Sequence, residues 1–256
     1  MENKGISDIV CSVQNGILKI VLNRPKKKNA TTNSMYKKLI QIIRESIEDD
    51  NIHAIALTGT GDVFSSGYDF ISNVTAGEDA KDASDIFKAF LDNIITYPKL
   101  LIAVVNGPAI GIAVTILPLF DMVYASDKAT FETPFTKVGV VAEGCSTYTF
   151  PKLFGSSKAG DMLYLGYKMN ALEAKQYGLV SEIYKHECLN DVWIYLKKLS
   201  AMSMQSILAI KRLIRRWDEK ILLEVNAQEV LVLKKIVQSP YFIERMTNIM
   251  SRKNKL

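Results

Sequence analysis

The chain has 256 residues, of which 48% are hydrophobic and 23% are charged, the composition of a globular protein with a sizeable core. The net charge of +5 is mild and the basic residues are spread along the chain. We therefore expect no nucleic-acid-binding surface, although an anionic small molecule would find partners. The histidines and cysteines lack metal-ligand spacing and predict neither a zinc site nor a histidine-based catalytic triad: His53, His186, Cys11, Cys145 and Cys188.

Neither a membrane span nor a secretory signal is expected from the sequence. The longest apolar run, near residues 110–119, is too short and too interrupted by proline and glycine to cross a bilayer. Residues 1–5 lack the apolar segment of a signal peptide, and the cysteines are expected to be reduced intracellular thiols. The tripeptide Asn254-Lys255-Leu256 is close to the S-K-L peroxisomal address, which makes a peroxisomal import receptor a candidate partner.

The first part of the chain predicts a β-α-β unit. Residues 16–23 alternate apolar and polar side chains, which is typical of a strand. Residues 33–49 carry an apolar stripe at helical spacing, with Asn33 or Ser34 as the predicted N-cap. Residues 52–58 form a short apolar run that predicts a second strand. This order predicts a right-handed crossover between two parallel strands.

Two loops in this region carry candidate binding residues. The basic run Lys26–Lys28 is either a solvated loop or a phosphate contact. Residues 62–69 (D-V-F-S-S-G-Y-D) place small polar residues around Gly67 directly after a strand. In open α/β sheets, ligands bind beyond the carboxyl ends of the strands, so the backbone amides of Gly67 and Tyr68 are candidate donors. A plain surface loop is the alternative.

Residues 104–115 (V-V-N-G-P-A-I-G-I-A-V-T) predict a strand, a tight turn and a helix that starts near Gly111. The free N–H groups of a helix N-terminus favour negative charge, so this turn either connects two elements or holds an oxyanion. A polar segment at residues 73–83 and a helix at residues 84–96 precede it, and a strand at residues 119–125 follows. Because strands and helices alternate, the predicted class is α/β.

Glu143 is an isolated acid among apolar and small residues. It follows residues 130–141, which are predicted to be extended and irregular, and it precedes a predicted helix. Its carboxylate either caps that helix or projects into an apolar cavity as a general base with a raised pKa. Cys145 has no histidine near it in the sequence, so we interpret it as a small buried thiol rather than a nucleophile.

The remainder of the chain is mainly helical. A strand is predicted at residues 179–184, and helices are predicted at residues 158–165, 171–177, 189–201, 207–216, 221–237 and 241–252. The sequence contains no internal repeat, low-complexity tract or Gly/Ser linker. We therefore predict one domain, with a core in residues 1–198 and a helical C-terminal region in residues 199–256.

Six short motifs occur in order along nearly the whole chain. They are L-N-R-P-K at residues 22–26, F-S-S-G-Y-D at 64–69, V-N-G-P-A-I-G at 105–111, F-E-T-P-F at 131–135, E-G-C-S at 143–146 and G-L-V at 178–180. Together they resemble the crotonase (enoyl-CoA hydratase/isomerase) superfamily, and within it the peroxisomal Δ3,Δ2-enoyl-CoA isomerases and their chromodomain-Y-like relatives. The resemblance implies a spiral of β-β-α turns, a helical C-terminal region that builds a homotrimer, and an acyl-CoA ligand.

The same resemblance implies a set of site residues. The thioester oxygen would be held by the backbone N–H groups of Tyr68 and Ile112. Other substrate-binding positions implied by the motifs are Lys26 and Lys28 along the nucleotide end of CoA, and Ser66, Gly67, Asp69, Gly111 and Phe135. Hydratases of the superfamily use two glutamates, but this chain has Thr115 and Phe135 there, which disfavours hydration by that mechanism. The single acting glutamate of the isomerases corresponds to Glu143.

We therefore predict an isomerase that converts cis- or trans-3-enoyl-CoA to trans-2-enoyl-CoA in the β-oxidation of unsaturated fatty acids, with no metal or cofactor. The expected location is peroxisomal, with cytoplasmic or mitochondrial as alternatives. The rival interpretations are another crotonase-type reaction, such as hydration, and a non-catalytic acyl-CoA-binding or protein-interaction module. One departure from the isomerase pattern lies just before Glu143: Val140-Val141-Ala142 stands where a polar residue, Ser and Pro are usual, so the backbone lead-in can differ.

Overall fold

The computed structural model of the protein describes residues 7–70, 72 and 80–253. The C-terminal tripeptide and most of the predicted polar segment at residues 73–83 lie outside the described residues. In the described part, nine strands form two sheets. In chain order they are β1 (Ile9–Gln14), β2 (Ile17–Leu22), β3 (Ala54–Gly59), β4 (Leu100–Val105), β5 (Ala109–Ile110), β6 (Met122–Ser126), β7 (Thr130–Glu132), β8 (Met169–Asn170) and β9 (Glu182–Tyr184).

The larger sheet has the strand order β1-β2-β3-β4-β6-β9. Only its β1–β2 pair is antiparallel, and the parallel β2–β3 pair confirms the predicted β-α-β unit. All six residues of β4 are buried because helices and loops cover both faces of the sheet. The smaller sheet, β5-β7-β8, begins just after β4, across the Asn106-Gly107-Pro108 turn.

Helices pack around both sheets. In the described part of the chain they are α1 (Asn33–Glu48), α2 (Ala80–Ile95), α3 (Ile112–Thr115), α4 (Phe135–Val138), α5 (Ser146–Phe154), α6 (Ser156–Leu165), α7 (Ala171–Gln176), α8 (Asp191–Leu196), α9 (Met204–Arg215), α10 (Glu219–Val237) and α11 (Pro240–Lys253). The N-cap of α1 is Thr32, so the predicted caps, Asn33 and Ser34, are wrong. The hydroxyl oxygen of Thr32 accepts a hydrogen bond from the N–H of Met35 at 3.3 Å. Thr32 has the extended backbone that an N-cap requires, whereas Asn33 is already helical.

Two segments differ from their predicted structure. The strand predicted at residues 119–125 begins only at Met122, because Leu117–Leu119 forms a short 3-10 helix around Pro118. Residues 130–141 are not extended throughout, because α4 follows Pro134 directly. Proline has a backbone angle that suits the start of a helix, so the residue that suggested irregular structure marks a helix start instead.

The C-terminal helices pack against the core. Asn226 of α10 is buried, and its side-chain amide donates to the carboxylate of Asp92 on α2 at 2.8 Å. On α9, the ammonium group of Lys211 donates to the carboxylate of Asp121, which precedes β6, at 2.8 Å. In the part of the chain that the structure describes, no helix has the length and apolar character needed to cross a membrane. The division at residue 198 stays a prediction.

Candidate active site

A cavity of about 290 Å³ lies between the loops that follow β3 and β4 and the helices α2, α10 and α11. Its wall is mostly apolar, as in small-molecule sites. The described residues that line it are Ser66, Gly67, Tyr68, Phe70, Ala83, Ser84, Phe87, Ile110, Gly111, Ile112, Pro134, Phe135, Val138, Val140, Glu143, Leu233, Val237 and Phe242. Among these residues, Glu143 is the one acid.

The two glycine-centred turns identified in the sequence lie side by side at this cavity. The N–H of Ile110 donates to the carbonyl of Ser65 at 3.0 Å, and Ser65 and Ala109 form an isolated parallel bridge. Gly67 has a φ of +85°, and a Cβ there would lie 2.7 Å from the carbonyl oxygen of Ile110. Only glycine fits that close approach without strain. The absence of a side chain therefore lets the two turns meet.

One backbone N–H in each of these two loops is a candidate donor to a ligand in the cavity. Thr31 bonds the carbonyl of Gly67 at 2.8 Å and the N–H of Asp69 at 2.9 Å. Because N–H groups alternate sides along an extended chain, the N–H of Tyr68 points away from Thr31. Ile112 opens α3, where the first N–H groups have no acceptor in their own helix. Both residues line the cavity.

Glu143 is buried, with 9% of the residue exposed, and it lines the cavity. Burial and, next, the negative charge of Glu229 raise the pKa of Glu143 well above its ordinary value. The carboxylate does not cap α5: the backbone carbonyl of Glu143 accepts the hydroxyl of Ser146 at 2.7 Å, and Cys145 occupies the N-cap position. The capping alternative is therefore wrong. Cys145 is fully buried, which confirms its interpretation as a small buried thiol, and burial raises the pKa of that thiol.

The two positions at which hydratases carry glutamate lie close to Glu143. Thr115 is fully buried and lies against Gly144, the residue after Glu143. A Cβ on Gly144 would lie 2.3 Å from the Thr115 hydroxyl oxygen. Phe135 is 4% exposed and forms part of the cavity wall. Neither side chain supplies a second carboxylate next to Glu143.

Three other predicted binding residues lie outside the cavity wall. Lys26 and Lys28 are exposed, and the N–H of Ser66 donates to the carbonyl of Lys28 at 2.9 Å, so their loop borders the cavity rim. Asp69 instead binds the Arg24 guanidinium at 3.0 Å and the Ser72 hydroxyl at 2.7 Å. Although burial opposes ionisation, these contacts hold the pKa of Asp69 below its ordinary value. This carboxylate supports the loop that carries Tyr68.

Sequence reasoning missed Glu229 on α10. Its carboxylate accepts hydrogen bonds from the backbone N–H groups of Cys145, at 2.7 Å, and of Thr147, at 3.0 Å. A signal was present, because Glu229 stands within the buried stripe of α10, between Asn226 and Val230.

In the described part of the chain, no group of three or more acidic, histidine or cysteine residues is arranged to hold a metal ion.

These features can be compared with known proteins. The sequence model of the enoyl-CoA hydratase/isomerase family matches residues 12–253. The chain belongs to this family. The resemblance seen in the six motifs is thereby confirmed. A solved structure of an enoyl-CoA hydratase/isomerase from Pseudoalteromonas atlantica T6c has a TM-score of 0.88 at 30% identity, covering 96% of this chain and 98% of that one. This likeness confirms the predicted α/β fold.

Two curated relatives in the family are named as isomerases. Human enoyl-CoA delta isomerase 2 is 41% identical over 261 residues, an alignment that covers 100% of this chain and 66% of the human protein. Mouse enoyl-CoA delta isomerase 3, peroxisomal, is 40% identical over 253 residues, covering 97% of this chain and 80% of the mouse protein. The chain thus spans about two thirds of the length of the human relative.

Proposed function

We propose that this protein is a Δ3,Δ2-enoyl-CoA isomerase that converts cis- or trans-3-enoyl-CoA to trans-2-enoyl-CoA, the step that unsaturated fatty acids require in β-oxidation. One observation carries the proposal: a single buried carboxylate, Glu143, faces an apolar cavity that also presents two backbone-amide turns. Relatives named as enoyl-CoA delta isomerases support the same substrate class.

In the proposed reaction, Glu143 removes a proton from C2 of the 3-enoyl thioester. The electron pair of the broken C–H bond then spreads over C2 to C4 and the thioester oxygen as a dienolate. The N–H groups of Tyr68 and Ile112 would stabilise this oxyanion, and one such donor is typically worth about 2.7–4 kcal/mol. The protonated Glu143 returns its proton at C4, which leaves the double bond between C2 and C3. No metal or redox cofactor takes part in this scheme.

The surroundings of Glu143 suit a base that releases and recovers one proton. A buried carboxylate with a raised pKa holds the proton well enough to deliver it to C4. Phe135 and Val140 line the same cavity and keep water from the dienolate. Hydration needs an activated water, and with Thr115 and Phe135 in place of glutamates the described cavity wall has no second carboxylate to hold it.

The remaining expectations concern CoA, assembly and location. Lys26 and Lys28 border the cavity rim and would contact the nucleotide end of CoA. Exposed apolar side chains on α9 and the segment before α10, such as Ile214 and the 72% exposed Trp217, support self-association, which in our proposal gives a homotrimer. The mouse relative named peroxisomal supports a peroxisomal location, which a fluorescent fusion with and without residues 254–256 would test.

The direct test is an assay of 3-enoyl-CoA isomerisation by the wild type and by Glu143→Gln. We expect turnover by the wild type and a loss of about 10²–10⁴-fold in the variant, the usual contribution of a general base. CoA binding should be retained, because Gln has nearly the same shape as Glu. If the variant turns over substrate at the wild-type rate, Glu143 is not the base. If the wild type binds CoA but isomerises no 3-enoyl-CoA, a binding module is the better interpretation.

A further inference from the structure

Glu229 joins α10 to the turn that carries Glu143. It is 6% exposed, and its carboxylate reaches the N-terminus of α5. One oxygen accepts the N–H of Cys145 at 2.7 Å, and the other accepts the N–H of Thr147 at 3.0 Å and its hydroxyl at 2.6 Å. Three donors that follow Glu143 within four residues therefore share one buried acceptor group.

The turn between Glu143 and α5 needs such support. Gly144 has a φ of +71° and Cys145 a φ of +62°. Residues other than glycine rarely adopt this left-handed conformation, so the Cys145 backbone persists only where its surroundings hold it. The bond from the Cys145 N–H to Glu229 is one such restraint. The direction in which the Glu143 side chain leaves the backbone depends on this turn.

We propose that Glu229 is a positioning residue for the Glu143 base: its carboxylate holds the turn that aims Glu143 into the cavity, and its negative charge makes Glu143 the carboxylate of the pair that accepts a proton. The inference rests on the proposed isomerase function and adds to it a residue remote in sequence from the six family motifs. Glu229 does not line the cavity with the other site residues, so it acts on the reaction through Glu143.

The two buried carboxylates have different surroundings. Burial raises the pKa of Glu229, but the Thr147 and Cys145 donors oppose that rise and favour its ionised form. The pKa of Glu143 is raised by burial and, in addition, by the charge of Glu229. A pair of acids whose surroundings separate their proton affinities in this way is typical of a site with one proton acceptor and one fixed charge.

Other titratable groups near this pair come from several elements. Tyr36 of α1 interacts electrostatically with Glu143, and burial raises the pKa of its hydroxyl, so it stays neutral. The buried Cys145 thiol is neutral for the same reason. Asp92 of α2 acts on Cys145, but it is paired with Lys88 at 2.6 Å and accepts the Asn226 amide at 2.8 Å. In the described chain, Glu229 is thus held by hydrogen-bond donors and not by a cationic partner.

The test compares pH profiles of kcat/KM for a 3-enoyl-CoA, using the full chain. Glu229→Gln keeps the length and one acceptor oxygen but removes the charge. The base must be ionised to act, so activity falls below its pKa, and removal of a like charge lowers that pKa. We expect the acidic limb to move to lower pH by about one unit. The plateau kcat should fall by about threefold, because a weaker base is slower. KM should be unchanged.

Two further variants separate charge from position. Glu229→Asp keeps the charge but shortens the reach, so kcat should fall while the acidic limb stays in place. Glu224→Gln changes the same residue type at an exposed position of the same helix and should leave both quantities unchanged. Thermal unfolding of each variant reports whether the fold is retained.

The outcomes are distinguishable. If Glu229→Gln lowers the melting temperature without moving the acidic limb, Glu229 is merely structural and the proposal is overturned. If the Gln variant does not fold, the Asp variant decides: a lower kcat at unchanged KM supports the proposal, and an unchanged kcat overturns it. If the wild type has no isomerase activity, it is instead the proposed function, on which the inference rests, that is wrong.

Discussion

Replacing Glu143 by glutamine is expected to stabilise the folded protein at neutral pH while it removes the proposed activity. Glu143 is 9% exposed and experiences the negative charge of Glu229, so its ionised form is disfavoured in the fold. Glutamine has nearly the same size and carries no charge. Selection for stability alone would therefore not favour a glutamate at this position. Residues that lower stability in this way are common at catalytic sites.

The magnitude follows from proton linkage. A glutamate in an unfolded chain has a pKa of about 4.3. Because the pKa of Glu143 is raised in the fold, the folded protein keeps a proton that the unfolded chain releases between the two pKa values. Over that interval the wild-type free energy of unfolding falls as pH rises, by up to about 1.4 kcal/mol per pH unit. For a chain of this size, one such unit corresponds to roughly 3–6 °C in melting temperature.

The assay is urea unfolding of the wild type and Glu143→Gln from about pH 4 to about pH 9, a range that spans the ordinary glutamate pKa and neutral pH. The stability difference should change least with pH near the lower end, grow in favour of the Gln variant as pH rises, and level off at the folded pKa of Glu143. That pH should agree with the acidic limb of kcat/KM. Burial of the glutamine amide adds an offset, but the offset does not depend on pH. Glu224→Gln serves as the exposed control.

A stability difference that stays constant across the whole range would refute this reasoning, because an ionisable group with a raised pKa must produce a slope. A Gln variant that loses stability relative to the wild type as pH rises would refute it more directly, since it would mean that the Glu143 carboxylate stabilises the fold.

Two other substitutions test the walls of the site. Gly144→Ala should lower kcat and destabilise the fold by more than Gly61→Ala, because both glycines have a φ of about +70° but only Gly144 would meet an atom, the Thr115 hydroxyl oxygen at 2.3 Å. The shared backbone strain costs about 1–2 kcal/mol, and equal melting temperatures for the two variants would exclude the clash. Arg245→Ala should raise KM more than it lowers kcat, because the Arg245 guanidinium on α11 donates to the carbonyl of Lys137 at 2.8 Å and so holds α4, which forms the cavity wall. Steady-state kinetics measures both quantities, and an unchanged KM would show that α4 needs no such support.

Much of the local structure could be read from the sequence because its causes are local. The helical stripe of α1, the apolar strand β4 and the turn at Gly111 each depend on residues within a few positions of one another. The short helix α4 was missed, since Pro134 is equally compatible with a loop and with a helix start. Short elements such as this one are decided by packing rather than by propensity.

The sequence by itself determined which residue types are available for chemistry: Glu143 is an acid in an apolar segment, Thr115 and Phe135 are not acids, and Gly67 and Gly111 permit turns that other residues resist. Only the tertiary structure decided that Glu143 is buried at a cavity and does not cap α5. The two interpretations of this acid, as a helix cap or as a buried base, differ in whether another group accepts hydrogen bonds from the backbone N–H groups at the start of α5. Glu229, separated from Cys145 by 84 residues, does so. Burial and the charge of a distant residue depend on chain folding, and no local pattern reports them.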